Sequence, residues 1–324
     1  MHNRAVPSVP PAPVATPLLI VNPVAGNGRA LHLEPWLRRH LDAMPGARLV
    51  ETVAPGHAGD LAAAAAAEGH DRVVAVGGDG TVQEVVNGLL GSGSGLALGI
   101  LAGGSGNDLA RSLQLPRRGE DALAAALGTA LRRIDVGVAE RGDGEGTERR
   151  YFAAAGGIGF DAQVAEAMFH RSWWQRGRIG YLVSTLWELQ RFHNRSLRLV
   201  LETPAGERIL ERTALFVAFA NGMYYGGGMQ ICPEATLEDG WMDLCIVGDI
   251  SRLEAIRQLP GMYHGAHVSH PAVEFVRARA AQVEGDPGTR IHLDGEPFGT
   301  LPLRITLLHA ALDVAAAGSG TVAR

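Results

Sequence analysis

Short apolar runs alternate with amphipathic stretches along the first third of the chain. "PLLIVNP" from residue 17 is an apolar run, "GRALHLEPWLRRHL" has helical spacing, "ARLVETV" is strand-like, and "HAGDLAAAAAAEG" is an alanine-rich helix. "DRVVAVGGDGTVQEVVNGLL" at 71–90 runs a strand through glycines into a helix, and "LALGILAGGSGNDLARSL" at 96–113 repeats that order. In the first of these helices Val82, Val85, Val86, Leu89 and Leu90 fall on one face. Strand, glycine turn and helix in repetition predict a parallel α/β domain over residues 17–135. A proline-rich segment, 1–16, precedes it as a disordered tail.

The pattern changes after "RRIDVGVAE". "YFAAAGGIG", "SLRLVLET", "ERTALFVAFANG", "WMDLCIVGDI" and "TRIHLDGE" read as strands separated by turn residues. "RGDGEGTERR" is a hairpin loop, and helical intervals near 161–193 and 251–265 interrupt the strands. This predicts a mainly antiparallel β domain over 136–304, with 305–324 returning to the first domain.

Composition narrows the partners. The net charge of -5 provides no basic footprint for nucleic acid. Two cysteines, Cys232 and Cys245, read as free thiols of a reducing compartment, and no window is long and apolar enough to span a membrane. A cytoplasmic protein is expected. One local basic patch, "HRSWWQRGRIGYLVSTLWELQRFHNR", pairs Trp173 and Trp174 with arginines. It suits peripheral contact with a membrane or packing against the neighbouring domain.

The chain contains no lysine, so a phosphate cradle here cannot use the usual P-loop lysine. Backbone N–H groups, hydroxyls, carboxylates and a metal must hold the ligand instead. Gly77, Gly78 and Gly80 permit close approach of backbone, Thr81 can cap the helix and reach a phosphate, and Asp79 makes sense beside magnesium. "NPVAGNG" at 22–28 and "GGSGND" at 103–108 follow strands whose carboxyl ends share that edge, and Thr52 ends another. In "LDGEP", Asp294 and Glu296 face one side if the chain is extended, or are solvated acids if Gly-Glu-Pro turns. Asp239 sits in a tight Asp-Gly turn. His264, His267 and His270 lack the cysteines or carboxylates of a zinc site, and His57 packs in a loop.

"GGDGTVQEVVNGL", with "NPVAG" upstream and "GGSGNDLARSL", "NGMYYGGGMQICPEATLEDGWMDL" and "LDGEP" downstream, resembles the diacylglycerol kinase catalytic-domain family, which includes bacterial lipid kinases and sphingosine kinases. The resemblance covers roughly residues 16–315; "GGDGT" alone is shared with NAD kinases. It implies an NAD-kinase-like and phosphofructokinase-like first domain that binds ATP through Asn22, Pro23, Val24, Ala25 and Gly26, through Thr52, and through Gly77, Gly78, Asp79, Gly80, Thr81, Val82 and Gln83. Ser105 joins them, with Asn107 and Asp108 lining an inter-domain cleft that holds the active site, or capping the helix that begins "LARSL". Where the family often has threonine this chain has Ser105, and where serine is common it has Ala25. The resemblance also implies Glu296 as proton acceptor with Asp294 as helper, in either order. A magnesium ion is implied on Asp239 and the carbonyls of Thr236 and Trp241. The implied activity is an ATP- and magnesium-dependent lipid kinase acting on diacylglycerol or a related glycerolipid. NAD kinase-like chemistry and a non-catalytic nucleotide sensor are the alternatives. Monomer and homodimer both stay open.

Overall fold

The computed structural model describes residues 16–142, 146–169, 185 and 187–316. The N-terminal tail, Trp173, Trp174, Arg171, Arg176 and Arg178 lie outside them. Strands β1 (Pro17–Val21), β2 (Arg48–Glu51), β3 (Arg72–Gly77) and β4 (Ala97–Ala102) are parallel, in the order β2-β1-β3-β4. Alternate side chains enter different cores: Leu18, Ile20, Val73 and Ala75 face one, and Leu19, Val21, Val74 and Val76 the other. Such near-continuous apolar strands are what a sheet covered on both faces requires. Helices α1 (Ala25–Leu41) and α5 (Gly119–Leu127) cover one face; α2 (His57–Ala64), α3 (Asp79–Ser92) and α4 (Asp108–Ser112) cover the other. Helix α3 stops at Gly93, whose left-handed φ of 62° lets its N–H reach the carbonyls of Leu89 and Leu90.

The rest is mainly antiparallel. In chain order it comprises β5 (Leu131–Gly142), β6 (Thr147–Phe152), β7 (Ala155–Gly159), α6 (Phe160–Phe169), β8 (Arg195–Thr203) and β9 (Gly206–Ala220). Next come β10 (Tyr224–Tyr225), β11 (Met229–Gln230), β12 (Met242–Gly248), α7 (Arg252–Met262), β13 (Val273–Ala278) and β14 (Ala280–Gly285). The chain closes with β15 (Arg290–Leu293), β16 (Glu296–Thr300) and β17 (Leu303–Ala315). Strands β5 and β6 pair up to Gly142 and Thr147, flanking the undescribed residues 143–145. In β8, Leu197, Leu199 and Leu201 point into a core while Arg198 and Glu202 stay outside. The second half of β9 is buried on both faces. Val217 and Phe219 enter the same core as β8, and Phe216 and Ala218 meet Phe160 of α6 and Met262 of α7.

Strand β17 joins the halves into one sheet. Its first part pairs antiparallel with β14 and β5, and Val314 then meets Leu98 of β4 in parallel. Its side chains divide accordingly, Leu303 and Ile305 into the second core and Leu312 and Val314 into the first. A register shift between Leu308 and Leu312, with Ala310 at φ 50°, bends the strand at the junction.

Asp135 of β5 sits at that bend and is fully buried. Its carboxylate accepts Gly240 N–H at 2.7 Å, Ala310 N–H at 2.7 Å and a hydrogen bond with His309 Nδ1 at 2.8 Å. Its carbonyl accepts Asn221 Nδ2 at 2.7 Å, and its N–H donates to Leu237 O at 2.7 Å. Removing this buried carboxylate leaves two half-buried backbone donors, Gly240 N–H and Ala310 N–H, without a partner, which is costlier than losing an exposed bond. Asp135→Ala is expected to lower unfolding free energy by about 3 kcal/mol or more. Urea denaturation checks this, and a loss below about 1 kcal/mol would contradict the role given to Asp135.

Candidate active site

Three turns at the carboxyl edge of the parallel strands touch one another. Gly103 N–H donates to Gly77 O at 2.7 Å, Asn22 N–H to Val76 O at 3.0 Å, and Asn22 Nδ2 to Thr81 Oγ1 at 3.0 Å. A Cβ on Gly104 would fall 2.5 Å from Gly78 Cα, so backbone packs on backbone where side chains could not fit. Thr52 lies on the same edge, its N–H bonded to Val21 O at 2.8 Å. Pro23 and the exposed Val24 lead into α1, which holds Ala25 and Gly26, and Ser105 is exposed at the tip of the third turn. Thr81 differs from expectation. Helix α3 starts three residues earlier than a Thr81 cap would place it, at Asp79, with Gly78 in the cap position. Thr81 is therefore buried inside the first turn, held by Asn22, and caps nothing.

The acidic residues of these turns face each other. Asp79 accepts Asn107 N–H and Asp108 N–H, both at 2.7 Å. Asn107, at φ 56°, closes its own loop through Gly104 N–H and O, both at 3.0 Å, rather than capping α4. Asp108 reaches across to Gly227 N–H at 2.9 Å, while its Oδ1 is buried without a partner. Burial pushes the Asp79 carboxyl up. Burial, with the Asp79 charge next in weight, pushes Asp108 up to about 7.

The opposite wall is the β15–β16 hairpin. Its turn is Asp294-Gly295, with φ of 48° and 86°, a two-residue connection that Asp-Gly favours. Neither sequence alternative anticipated this: Asp294 occupies the turn and Glu296 begins β16. The Asp294 carboxylate is no solvated acid. It accepts N–H bonds from Ala153 at 2.9 Å, Ala154 at 2.9 Å and Ala155 at 3.0 Å. Burial outweighs those bonds and pushes it up to about 6, with Asp79 adding to the rise. Glu296 reaches the first half, its Oε1 only 2.9 Å from where a Cβ on Gly80 would stand. Gln83 serves the junction: its Nε2 donates to Leu293 O at 2.7 Å, and Asn87 grips the Tyr151 N–H and carbonyl, both at 2.9 Å.

Between the walls lies a cavity of about 350 Å³. Asp79, Asp108, Asp294 and Glu296 lie along it, and Val82, Leu109, Ala165 and Met168 make part of it apolar. Arg111, which donates to Gly106 O at 2.7 Å, contributes positive charge to Asp79 and Asp108. The unpartnered Asp108 Oδ1 and the raised carboxyls fit a cation. Among the described residues, no three His, Cys, Asp or Glu side chains converge to hold one alone. A magnesium ion here would be shared with phosphate oxygens, its usual coordination.

The Asp239 turn is different. Asp239 Oδ1 accepts Trp241 N–H at 3.0 Å and Oδ2 pairs with Arg277, which also lies 3.4 Å from Asp243. Thr236 is exposed on the same turn. A divalent ion there would compete with the Arg277 guanidinium. The histidines are locally engaged: His57 with Val53 N–H at 3.2 Å, His267 with Ile231 O at 3.0 Å and His270 with Glu254 at 3.0 Å. Cys232 and Cys245 are buried and free, their thiols pushed up by burial.

Asp161, Tyr225, Gly227, Tyr263 and His292 also line the cleft. Sequence reasoning missed them because they come from separate elements of the second half. The one legible signal was His292, two residues before Asp294. No described helix is long and apolar enough to cross a membrane.

Residues 16–139 match the family of the diacylglycerol kinase catalytic domain, and residues 154–316 match the YegS C-terminal NAD kinase beta sandwich-like domain. A diacylglycerol kinase of Mycobacterium tuberculosis is 34% identical over 299 residues, covering 91% of this chain and 93% of its own. A "Probable lipid kinase YegS-like" protein of Chromohalobacter salexigens is 36% identical over 262 residues, 79% of each chain. The crystal structure of a diacylglycerol kinase from Bacillus anthracis shares the fold. Its TM-score is 0.70 at 22% identity, over 96% of this chain and all of that one.

The raised carboxyls set the sign of a pH dependence. A carboxyl whose folded pKa lies above its unfolded value stabilises fully below the unfolded value and less as pH rises through the folded one. Asp294 and Asp108, at about 6 and about 7, therefore oppose folding increasingly over that span. Glu202 and Asp313, shifted down, sit in largely exposed ion pairs and counter this weakly. Without divalent cations, Tm is expected to fall between about pH 4 and about pH 7, and Asp108→Asn to flatten the slope. An unchanged slope in that variant would contradict the assignment.

Proposed function

The chain belongs to the diacylglycerol kinase catalytic-domain family, and from that premise we propose that it transfers the γ-phosphate of ATP to the hydroxyl of a membrane lipid, diacylglycerol or a related glycerolipid. The observation that carries this reading is the cleft itself. Backbone-rich turns at the N-terminus of α3 line one wall, a carboxylate-bearing hairpin lines the other, and apolar side chains lie between them. A helix N-terminus with free N–H groups suits phosphate, and an apolar wall suits an acyl-bearing acceptor better than a nucleotide ribose.

In this reading the turns of Asn22–Gly26, Gly77–Thr81 and Ser105 hold the triphosphate through N–H groups and hydroxyls. Asp79 and Asp108 would hold magnesium, which would supply neutralisation of the phosphate charge. The lipid hydroxyl oxygen bonds to the γ-phosphorus as the bond to the β–γ bridging oxygen breaks, and ADP leaves. Glu296 takes the hydroxyl proton. The roles of the two hairpin acids follow from their partners: Asp294 spends its oxygens on three backbone N–H groups and holds the hairpin, whereas Glu296 projects toward Gly80. An ion at Thr236, Asp239 and Trp241 would need Arg277 to move aside, and no step is routed through it.

A lipid acceptor brings the protein to a bilayer, and we place it in the cytoplasm at the inner membrane face. The outer side of α7 presents Leu253 and Ile256 beside the exposed Arg252 and Arg257, the mixture an anionic interface attracts.

The decisive experiment offers labelled γ-phosphate with magnesium to lipids in anionic vesicles and, in parallel, to NAD. Label in lipid is expected. Label only in NAD would move the protein to the nucleotide kinases, and ATP binding without transfer would make it a sensor. Leu253→Ser/Ile256→Ser should float less well with those vesicles, and equal flotation would remove α7 as the contact. Glu296→Gln is expected to lower kcat by about 10²–10⁴-fold at unchanged Tm. Asp294→Asn should lower Tm as well, since its amide donor would meet Ala153 N–H. A fully active Glu296→Gln enzyme would remove it as proton acceptor.

A further inference from the structure

The cleft wall beside the hairpin holds a polar pair that the transfer step leaves unused. His292 on β15 is 4% exposed and Asp161 in the first turn of α6 is 7% exposed, and both line the cleft. His292 Nε2 lies 3.4 Å from Asp161 Oδ2, and His292 Nδ1 accepts Gly295 N–H at 3.3 Å. A ring nitrogen that accepts carries no proton, so the neutral ring holds its proton on Nε2, toward the carboxylate. Asp161 is itself fixed, its Oδ1 accepting Ala162 N–H at 2.7 Å. The ring lies against Tyr225, with centroids 6.1 Å apart and planes at 29°.

The fold makes room for this pair. Strand β7 pairs with β15 so that Gly157 stands opposite His292. A Cβ on Gly157 would lie 1.8 Å from Asp161 Oδ2 and 2.7 Å from His292 Nε2. Any side chain there would displace the carboxylate or the ring.

Gly295 is the residue directly before Glu296, and Asp294 beside it holds a left-handed conformation that a non-glycine residue adopts at a cost. The Gly295 N–H belongs to the Asp294–Gly295 peptide, so the His292 ring holds the hairpin turn one peptide before Glu296. We propose that His292, oriented by Asp161, is a positioning residue for phosphoryl transfer, setting the direction in which Glu296 enters the cleft. This rests on the reading of Glu296 as proton acceptor. A displacement of about 1 Å at the reacting centre can cost on the order of a hundred-fold in rate.

The test uses the full chain. His292→Phe keeps a ring against Tyr225 and removes both nitrogens; kcat for lipid phosphorylation is expected to fall roughly ten- to a hundred-fold with KM for ATP unchanged. Asp161→Asn leaves one oxygen for two donors, the His292 Nε2–H and the Ala162 N–H, and should slow kcat less than Asp161→Leu. Asp161→Leu should match His292→Phe, and combining the two should cost no more than either alone. Wild-type kcat in His292→Phe, an Asp161→Asn enzyme as slow as His292→Phe, or a joint shift of kcat, KM for ATP and Tm would overturn the proposal. If the parent protein phosphorylates no lipid, the activity reading fails separately, and the ¹⁵N spectrum of His292 still decides the geometry. A proton on Nε2 with a slowly exchanging Gly295 amide supports the pair, and a proton on Nδ1 overturns it.

Discussion

Buried carboxylates that accept backbone N–H bonds tie this molecule together across distances the local sequence does not span. Asp294 binds the amides of Ala153, Ala154 and Ala155, Asp79 those of Asn107 and Asp108, Asp108 that of Gly227, and Asp135 those of Gly240 and Ala310. Each bond joins elements far apart in the chain, and each costs desolvation of a charge. The bonds lower the pKa values of Asp79, Asp108 and Asp294 while burial raises them, and burial wins. These acidic groups are thus not fully satisfied within the chain, a deficit that a bound cation would relieve.

This arrangement reconciles phosphate binding with a lysine-free sequence. Phosphate and carboxylate repel, so turns containing Asp79 and Asp108 would work as the proposed triphosphate site only with a cation between them. The remaining attraction comes from N–H groups at the start of α3 and from the contact of the glycine turns, where Gly104 lies on Gly78 with no space for a Cβ. The backbone supplies what a lysine side chain supplies elsewhere, and the glycines are the steric condition for it.

The two walls of the cleft do not float independently. Strand β17 carries side chains into both cores, and Gln83 and Asn87 of α3 bond directly to Leu293 and Tyr151 across the junction. The helix that presents its N-terminus to phosphate is therefore the helix that grips the hairpin bearing Glu296. Spacing between the α3 N-terminus and Glu296 is set by side-chain hydrogen bonds of one element, which would give the proposed transfer a fixed reaction distance.

Local pattern determined much of this. Apolar runs before glycines dictated parallel strands with turns at one edge, alternation in "SLRLVLET" dictated a two-faced β-strand, and the spacing of Val82, Val85 and Val86 dictated α3, because these signals arise from neighbours within one element. "GGDGT", "GGSGND" and "LDGEP" marked the walls of the cleft for the same reason. Local pattern misjudged Thr81, since a glycine at the cap lets the helix begin at Asp79. It also left the "LDGEP" turn open: Asp-Gly favours two positive φ angles, but which two residues turn was decided by the pairing of Leu293 with Glu296 and by the Asp294 bonds to Ala153–Ala155. The pairing of His292 with Asp161, separated by 131 residues, and the turn of Gln83 toward Leu293, 210 residues away, were decided by the tertiary structure alone. Sequence fixes what a residue can do with its near neighbours; which distant donor or acceptor it meets depends on strand order and register, here β7 against β15 and α3 against the hairpin.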